Sequence, residues 1–351
     1  MREWSEKAMK MNKKAIAMIL TGALAIASAL PAMATQNTNN HAAAGPNQPA
    51  AQTEQVVKTW NPSVSAMSII CAPSGIMMMD DGTMLVTDTY NKVVWQTKDG
   101  KSTVKAGKLN ATDIYGEPVG GYRDGKLADS YFKKPWAVTN FLKGIAVSDS
   151  ANHVIRYIDS DGTETAVGNG TAGYKNGYGL DASFNNPTGL ATDSYGNLYV
   201  ADTNNNMIRR VTRYGTVTTY LENVTEPTGL FWKDGILYVA ASGMHQVLKV
   251  KDGKVIERIG TGTEGDVTGA VAQVQFSYPQ GVTVAEDGSI YVSDTGNSAI
   301  KKIADGVVTT LLKCDNSKLD LYPISPQNLA VYKDKLYVCD NFAKKVIILN
   351  R

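Results

Sequence analysis

The sequence predicts an all-β fold, a six-bladed β-propeller of four-stranded antiparallel blades. Three observations predict it. Six segments align on an anchor proline, at Pro73, Pro135, Pro187, Pro227, Pro279 and Pro326, with starts 62, 52, 40, 52 and 47 residues apart. Within each segment, the distance from that proline to one later position is held at 15 or 14 residues; that position is Asp88, Asp149, Asp202, Ala241, Asp294 and Asp340. Each segment reads as short apolar runs separated by Gly, Asp and Asn turns, and no window after residue 34 sustains a helical period. A unit of fixed internal length on elastic connections is what stacked supersecondary elements require. Four short strands in about 40 to 60 residues, six times over, close into a propeller.

Taken in chain order, Lys10, Lys13 and Lys14 precede the apolar run Ala15 to Leu30, and Ala32-Met33-Ala34 follows. A basic start, a short apolar run and a small-x-small site predict a secretory signal peptide over residues 1–34, cleaved near Ala34. The run is too short for a membrane span, so no stable membrane anchor is expected. Residues 35–52 are polar and poor in large apolar groups, which predicts a flexible linker; His41 lies in it. The propeller is expected over 53–351.

In a representative unit, PTGLATDSYGNLYVADTNNNMIRRV from Pro187, the inner strand follows the proline and Asn197 to Val200 form the second strand. Thr203-Asn204-Asn205 make a polar turn, Met207 to Thr212 the third strand and Thr216 to Leu221 the outermost. The last unit stops at Arg351, at the end of its third strand. Residues 54–60, EQVVKTW, have strand character and are expected to supply the missing outer strand, closing the ring and removing an exposed edge.

The recurrent Pro-x-Gly start, the Leu/Ile-Tyr-Val second strand, the Ala/Ser-Asp-Thr-x-Asn turn and the closing Ile-Arg/Lys resemble the NHL repeat. The resemblance runs over roughly residues 60 to 350. It is strongest in the units from Pro187 and Pro279 and weakest in that from Pro227, where Ala241 replaces the Asp and Met244 the Asn. With the export signal, the resemblance is to the secreted bacterial type of that family. The Gly-rich approaches at 120–135, 173–187 and 265–279 are also similar to it.

The full chain carries 35 Lys/Arg and 33 Asp/Glu. Without the first 34 residues the balance is 30 to 31, which gives no electrostatic footprint for nucleic acid. Three cysteines are too few for a disulfide scaffold; Cys71 and Cys314 are the candidate pair. Gly168 to Gly173 and Gly260 to Gly265 both match the dinucleotide glycine pattern, but each leaves an outer strand with no helix to follow, so both are expected to be turns between blades. Gly120 to Lys126 lacks the Ser or Thr a phosphate loop needs, because Leu127 stands there. Asp159-Ser-Asp161-Gly162 is expected to be a polar turn rather than a calcium loop.

His153 and His245 hold the same repeat position, four after Asp149 and Ala241. The turn after a second strand and the crossover to the next blade share one face, so both histidines should lie there. Amidating lyases of related propeller fold imply a histidine-rich zinc centre, which ordered blades with two histidines cannot supply. Calcium-dependent lactonases of six-bladed fold need acidic groups at the channel, whereas the residues after the six prolines are Ser74, Trp136, Thr188, Thr228, Gln280 and Gln327. No cofactor is therefore expected. The repeated Asp is expected to accept backbone N–H bonds, and its loss in the fourth unit to leave a looser turn.

Loops 107–134, 168–186 and 260–278 are expected on the histidine face, with Tyr115, Tyr122, Arg123, Tyr131, Tyr174, Lys175 and Tyr178. Tyr and Arg dominate binding centres. The reading is a monomeric, secreted, non-catalytic binding module for a protein, peptide or glycan. Its candidate binding residues are Tyr122, Arg123, Trp136, His153, Tyr174, Lys175 and His245. The alternative is a metal-dependent hydrolase or lyase with its site at the channel mouth.

Overall fold

The computed structural model describes residues 61–64, 70–314 and 325–350. The expected signal peptide, the linker with His41 and the segment 54–60 lie outside them. Strand β1 (Asn61–Val64) comes first in the chain and is the last to find its place. Blade one is β2 (Pro73–Met78), β3 (Met84–Asp88), β4 (Val93–Lys98) and β5 (Lys101–Ala106). Blade two is β6 (Pro135–Phe141), β7 (Gly144–Asp149), β8 (Val154–Ile158) and β9 (Thr163–Val167). A short strand β10 (Gly177–Tyr178) precedes blade three, which is β11 (Pro187–Thr192), β12 (Leu198–Asp202), β13 (Met207–Val211) and β14 (Thr216–Leu221). Blade four is β15 (Pro227–Lys233), β16 (Ile236–Ala241), β17 (Gln246–Lys251) and β18 (Lys254–Ile259). A second short strand, β19 (Gly269–Ala270), precedes blade five: β20 (Pro279–Val284), β21 (Ile290–Asp294), β22 (Ala299–Ala304) and β23 (Val307–Lys313). Blade six is β24 (Pro326–Tyr332), β25 (Lys335–Asp340) and β26 (Lys345–Asn350), completed by β1.

Every blade is an antiparallel meander, and each begins on its anchor proline. Proline has no N–H to give a ladder, so the first residue of an inner strand is a place it can occupy. Ring closure by an N-terminal strand is as expected, but the strand that pairs is Asn61–Val64, just after the expected 54–60, with Asn61 opposite Asn350 and Val64 opposite Ile347.

The core is divided. Among the described residues there are six hydrophobic clusters, and each fills the interface between two neighbouring blades. Phe141, Ile155 and Phe184 lie between blades two and three; Trp95, Cys339 and Val346 lie between blades one and six. The glycine of Pro-x-Gly explains how close the blades come at the axis. A Cβ on Gly189 would strike the backbone of Thr228, and one on Gly281 the backbone of Gln327. Only a residue without a side chain permits that approach.

The cysteine expectation is corrected. No disulfide joins Cys71 to Cys314. Cys71 leads into the inner strand of blade one and Cys314 follows the outer strand of blade five, with blade six between them.

Candidate functional site on the crossover face

The repeated carboxylate is built into the scaffold. Asp149 accepts from the Lys133 N–H (3.0 Å), the Lys134 N–H (2.9 Å) and the Asn152 amide (2.7 Å). Asp202 accepts from the Asn185 N–H (2.7 Å), Asn205 Nδ2 (2.9 Å) and Arg209 Nη1 (2.9 Å). The N–H donors come from the segment before the anchor proline, so the carboxylate ties the second strand to the chain entering its own blade. Seven residues beyond the Asp stands a fully buried cation, Arg156, Arg209 or Lys301. Each cation also holds the approach loop: Arg156 donates to the Tyr131 and Arg123 carbonyls and to Asp124, Arg209 to the Ser183 and Lys175 carbonyls, and Lys301 to the Gln275 carbonyl. An aromatic ring three residues before the proline covers each cation, Phe132, Phe184 and Phe276 at 4.9, 5.4 and 5.3 Å. Burial pushes the Asp149, Asp202 and Asp294 carboxyls up, against the opposing pull of these bonds.

The face that carries the crossovers is held together by a second set of contacts. His153 sits in the left-handed region at φ 55°, and its Nδ1 accepts the Asn186 N–H at 3.1 Å. His245, at φ 52°, receives the Tyr278 N–H at 3.3 Å and meets the Tyr278 ring edge-on. Burial and then Lys133 hold the His153 imidazole below its ordinary pKa, which keeps the accepting nitrogen free of a proton. The hydroxyl after the Asp reaches the next blade: Ser150, Thr203 and Thr295 donate to the carbonyls of Pro187, Pro227 and Pro326 at 2.7, 2.8 and 2.6 Å.

The structure separates the seven candidate binding residues. Trp136 and His153 stand on the crossover face of blade two, where the Lys134 ammonium lies 4.7 Å above the Trp136 ring. The approach loops instead wrap outward. Gly177 pairs with Val217 and Gly269 with Val308, so β10 and β19 each add a fifth strand to the outer edge of a blade. Tyr122 and Arg123 accordingly pack at the rim of blade two, with the Tyr122 hydroxyl on Thr165 (2.9 Å) and its ring on Arg156. Tyr174 and Lys175 lie at the rim of blade three and His245 on blade four. Gly168 to Gly173 and Gly260 to Gly265 open turns rather than helices, and Asp159 accepts the N–H groups of Asp161 and Gly162 in a closed polar turn. The central channel holds a cavity of about 270 Å³, lined by the inner strands of all six blades, among them Met77, Asn140, Thr192, Phe231, Thr283 and Ala330. None of its lining side chains is ionisable. Among the described residues no three His, Cys, Asp or Glu side chains come together at metal-ligand spacing.

Residues 152–336 match the sequence profile of the teneurin NHL domain, more than half of the chain. The chain belongs to the NHL-repeat propeller family. NHL repeat-containing protein 2 of Bos taurus is 22% identical over 357 residues, covering 81% of this chain and 48% of that protein. The chain thus spans about half the length of the curated relatives of that name. Two solved structures share the fold. Virginiamycin B lyase from Staphylococcus aureus has a TM-score of 0.56 at 15% identity, covering 84% of this chain and 99% of that one. An auxiliary nutrient binding protein from Bacteroides ovatus has a TM-score of 0.59 at 13% identity, covering 83% and 76%.

In this NHL propeller, blade four departs from blades two, three and five as a set. Val224, Ala241 and Leu248 take the places of the Phe, the Asp and the buried cation, and all three are buried. Its turn is no looser for the loss. Ala241 has φ −91° and ψ 84° against −88° and 73° for Asp202, and the His245 N–H bonds the Ser242 carbonyl at 3.1 Å. Replacing all members of a buried ionic cluster leaves no orphaned charge, so the apolar version is self-consistent. The Phe lies three residues before the anchor proline and the cation seven after the Asp, positions 24 or 25 residues apart in the chain whose contact only the fold reveals.

Proposed function

We propose that this NHL propeller is a ligand-binding module whose site is the crossover face at the mouth of the channel, around Trp136, Lys134, Lys92 and His153. The observation that carries this reading is the half-buried Trp136 ring on the crossover face with the Lys134 ammonium 4.7 Å above it, an aromatic and a cation with no carboxylate paired to that cation among the described residues. Acid–base or metal-assisted chemistry needs converging titratable groups. The repeated carboxylates that could have served are engaged in scaffold bonds. A hydrolase or lyase reading rests on likeness of fold to virginiamycin B lyase, and fold alone does not carry function. The Lys10 to Ala34 pattern supports a location outside the cytoplasm as part of the same proposal. The partner class is a protein, peptide or glycan. The test is a thermal-shift and calorimetric screen of the full chain against neutral and acidic oligosaccharides and peptides, with Trp136→Phe and Lys134→Gln as variants. A saturable rise in melting temperature that both variants weaken supports the reading. Turnover of a lactone or a cyclic depsipeptide that both variants retain would overturn it.

A further inference from the structure

The repeat supplies its own controls, because six equivalent residues occupy each position of the crossover face. At the left-handed position of the turn after the second strand, blades six and one carry Lys344 and Lys92, at φ 55° and 60°. Blades three and five carry Asn206 and Ser298 there. Lys134 precedes the anchor proline of blade two, with Lys133 beside it, whereas Glu226 precedes that of blade four. Two positions after the Asp, blade six exposes Phe342 (71%) and blade one Tyr90 (43%); the equivalents on blades four and five are glycines. Blades six, one and two are consecutive in the closed ring, joined on this face where Asn341 of blade six donates to Ser74 of blade one.

Among the described residues no carboxylate forms an ion pair with Lys92, Lys133, Lys134 or Lys344. The Lys92 ammonium donates to the Thr89 carbonyl (2.9 Å), and the Glu117 carboxylate accepts from the Tyr90 hydroxyl at 2.7 Å. Burial holds both Lys92 and Lys134 below the ordinary lysine range, and the charge of Lys134 lowers Lys92 further. An arriving anion would offset the repulsion between the two and favour the charged form of each.

We infer that the crossover face of blades six, one and two binds an acidic polysaccharide, with its carboxylates on Lys344, Lys92 and Lys134 and its sugar rings against Phe342 and Tyr90. The inference rests on the binding reading of this face and names the ligand chemistry. Lys344 and Lys92 occupy one repeat position on successive blades, so positive charge recurs at the blade spacing. A polymer with one carboxylate per residue offers charge at a regular spacing, and its apolar ring faces suit exposed aromatics.

The experiment is titration calorimetry of the full chain with octagalacturonate, malto-octaose and an octaglutamate peptide. The variant is Lys92→Asn/Lys344→Asn, which copies Asn206 and so retains a residue that accepts the left-handed backbone; Lys254→Asn on β18 is the control. Octagalacturonate is expected to bind, to weaken as salt rises from about 20 to about 200 mM, and to lose about tenfold or more in affinity in the double variant but not in the control. An unchanged melting temperature assigns that loss to the site. Equal binding of malto-octaose overturns the inference and leaves the binding face standing. Tighter binding of octaglutamate overturns the choice of a polysaccharide. Failure of all three probes, with ligands still found in the wider screen, overturns the inference alone; failure in both overturns the binding reading as well.

Discussion

Asn206 does on blade three what His153 and His245 do on blades two and four. Its Oδ1 accepts the Glu226 N–H at 2.9 Å, from the same left-handed position and to the same point before the next proline. A side-chain acceptor at this position clamps one blade to the next, which is why a histidine there need not be a metal ligand. The clamp has a pH dependence in blade two. The His153 pKa is lowered in the fold, while the unfolded chain binds that proton near about 6.5. Between the lowered value and about 6.5 the unfolded chain holds more protons, so stability falls as pH drops through that window. His153→Asn keeps the acceptor and removes the titration. Its melting temperature should therefore fall less than that of the natural chain between about pH 7.5 and about pH 5.5, measured by scanning calorimetry. An identical fall in both would show that the clamp does not titrate. The histidines' shared position was visible in the sequence; the N–H each one receives was not, because its donor lies 33 residues away on the next blade's approach.

At the scale of the element, blades two, three and five are meanders closed over a buried ion pair. Asp202→Ala leaves Arg209 buried with two carbonyls and Asn176 but no carboxylate, and should cost about 3–5 kcal/mol in urea unfolding. Adding Arg209→Leu, the residue blade four uses, should recover part of that loss. A double variant as unstable as the sum of two single variants would mean the pair is not coupled. The inner strands set a different limit. Gly189→Ala places a methyl group against the Thr228 backbone and should destabilise by about 1–3 kcal/mol. An unchanged unfolding midpoint would show that the axis can widen. The approach loops belong to this scale too. Their Gly-rich composition announced turns, but their aromatic residues pointed to a binding face, whereas β10 and β19 carry the chain to the outer rim. Strand addition at an edge depends on backbone groups, which every residue has, so composition gave no sign of it.

For the whole molecule, closure rests on four residues of β1 against β26, with the Ser63 hydroxyl donating to the Ile348 carbonyl at 3.2 Å. Deleting residues 1–64 should expose β26 as an open edge, lower the melting temperature and promote association in light scattering. A monomer as stable as the full chain would show that closure adds little. Because no disulfide spans blades, a reducing agent should leave the melting temperature unchanged. The six prolines, the 14- or 15-residue offset and the polar turns determined blade number, strand order and the need for an N-terminal strand, since these follow from local hydrogen-bonding and period. Which residues share a surface was decided by the ring. Lys344 and Lys92 are 252 residues apart in the chain and occupy one repeat position on adjoining blades, while Trp136 and Tyr122, 14 apart, part to the face and the rim. Repeat period fixes what each blade is. Closure into a circle brings the last blade against the first, and no local pattern encodes that contact.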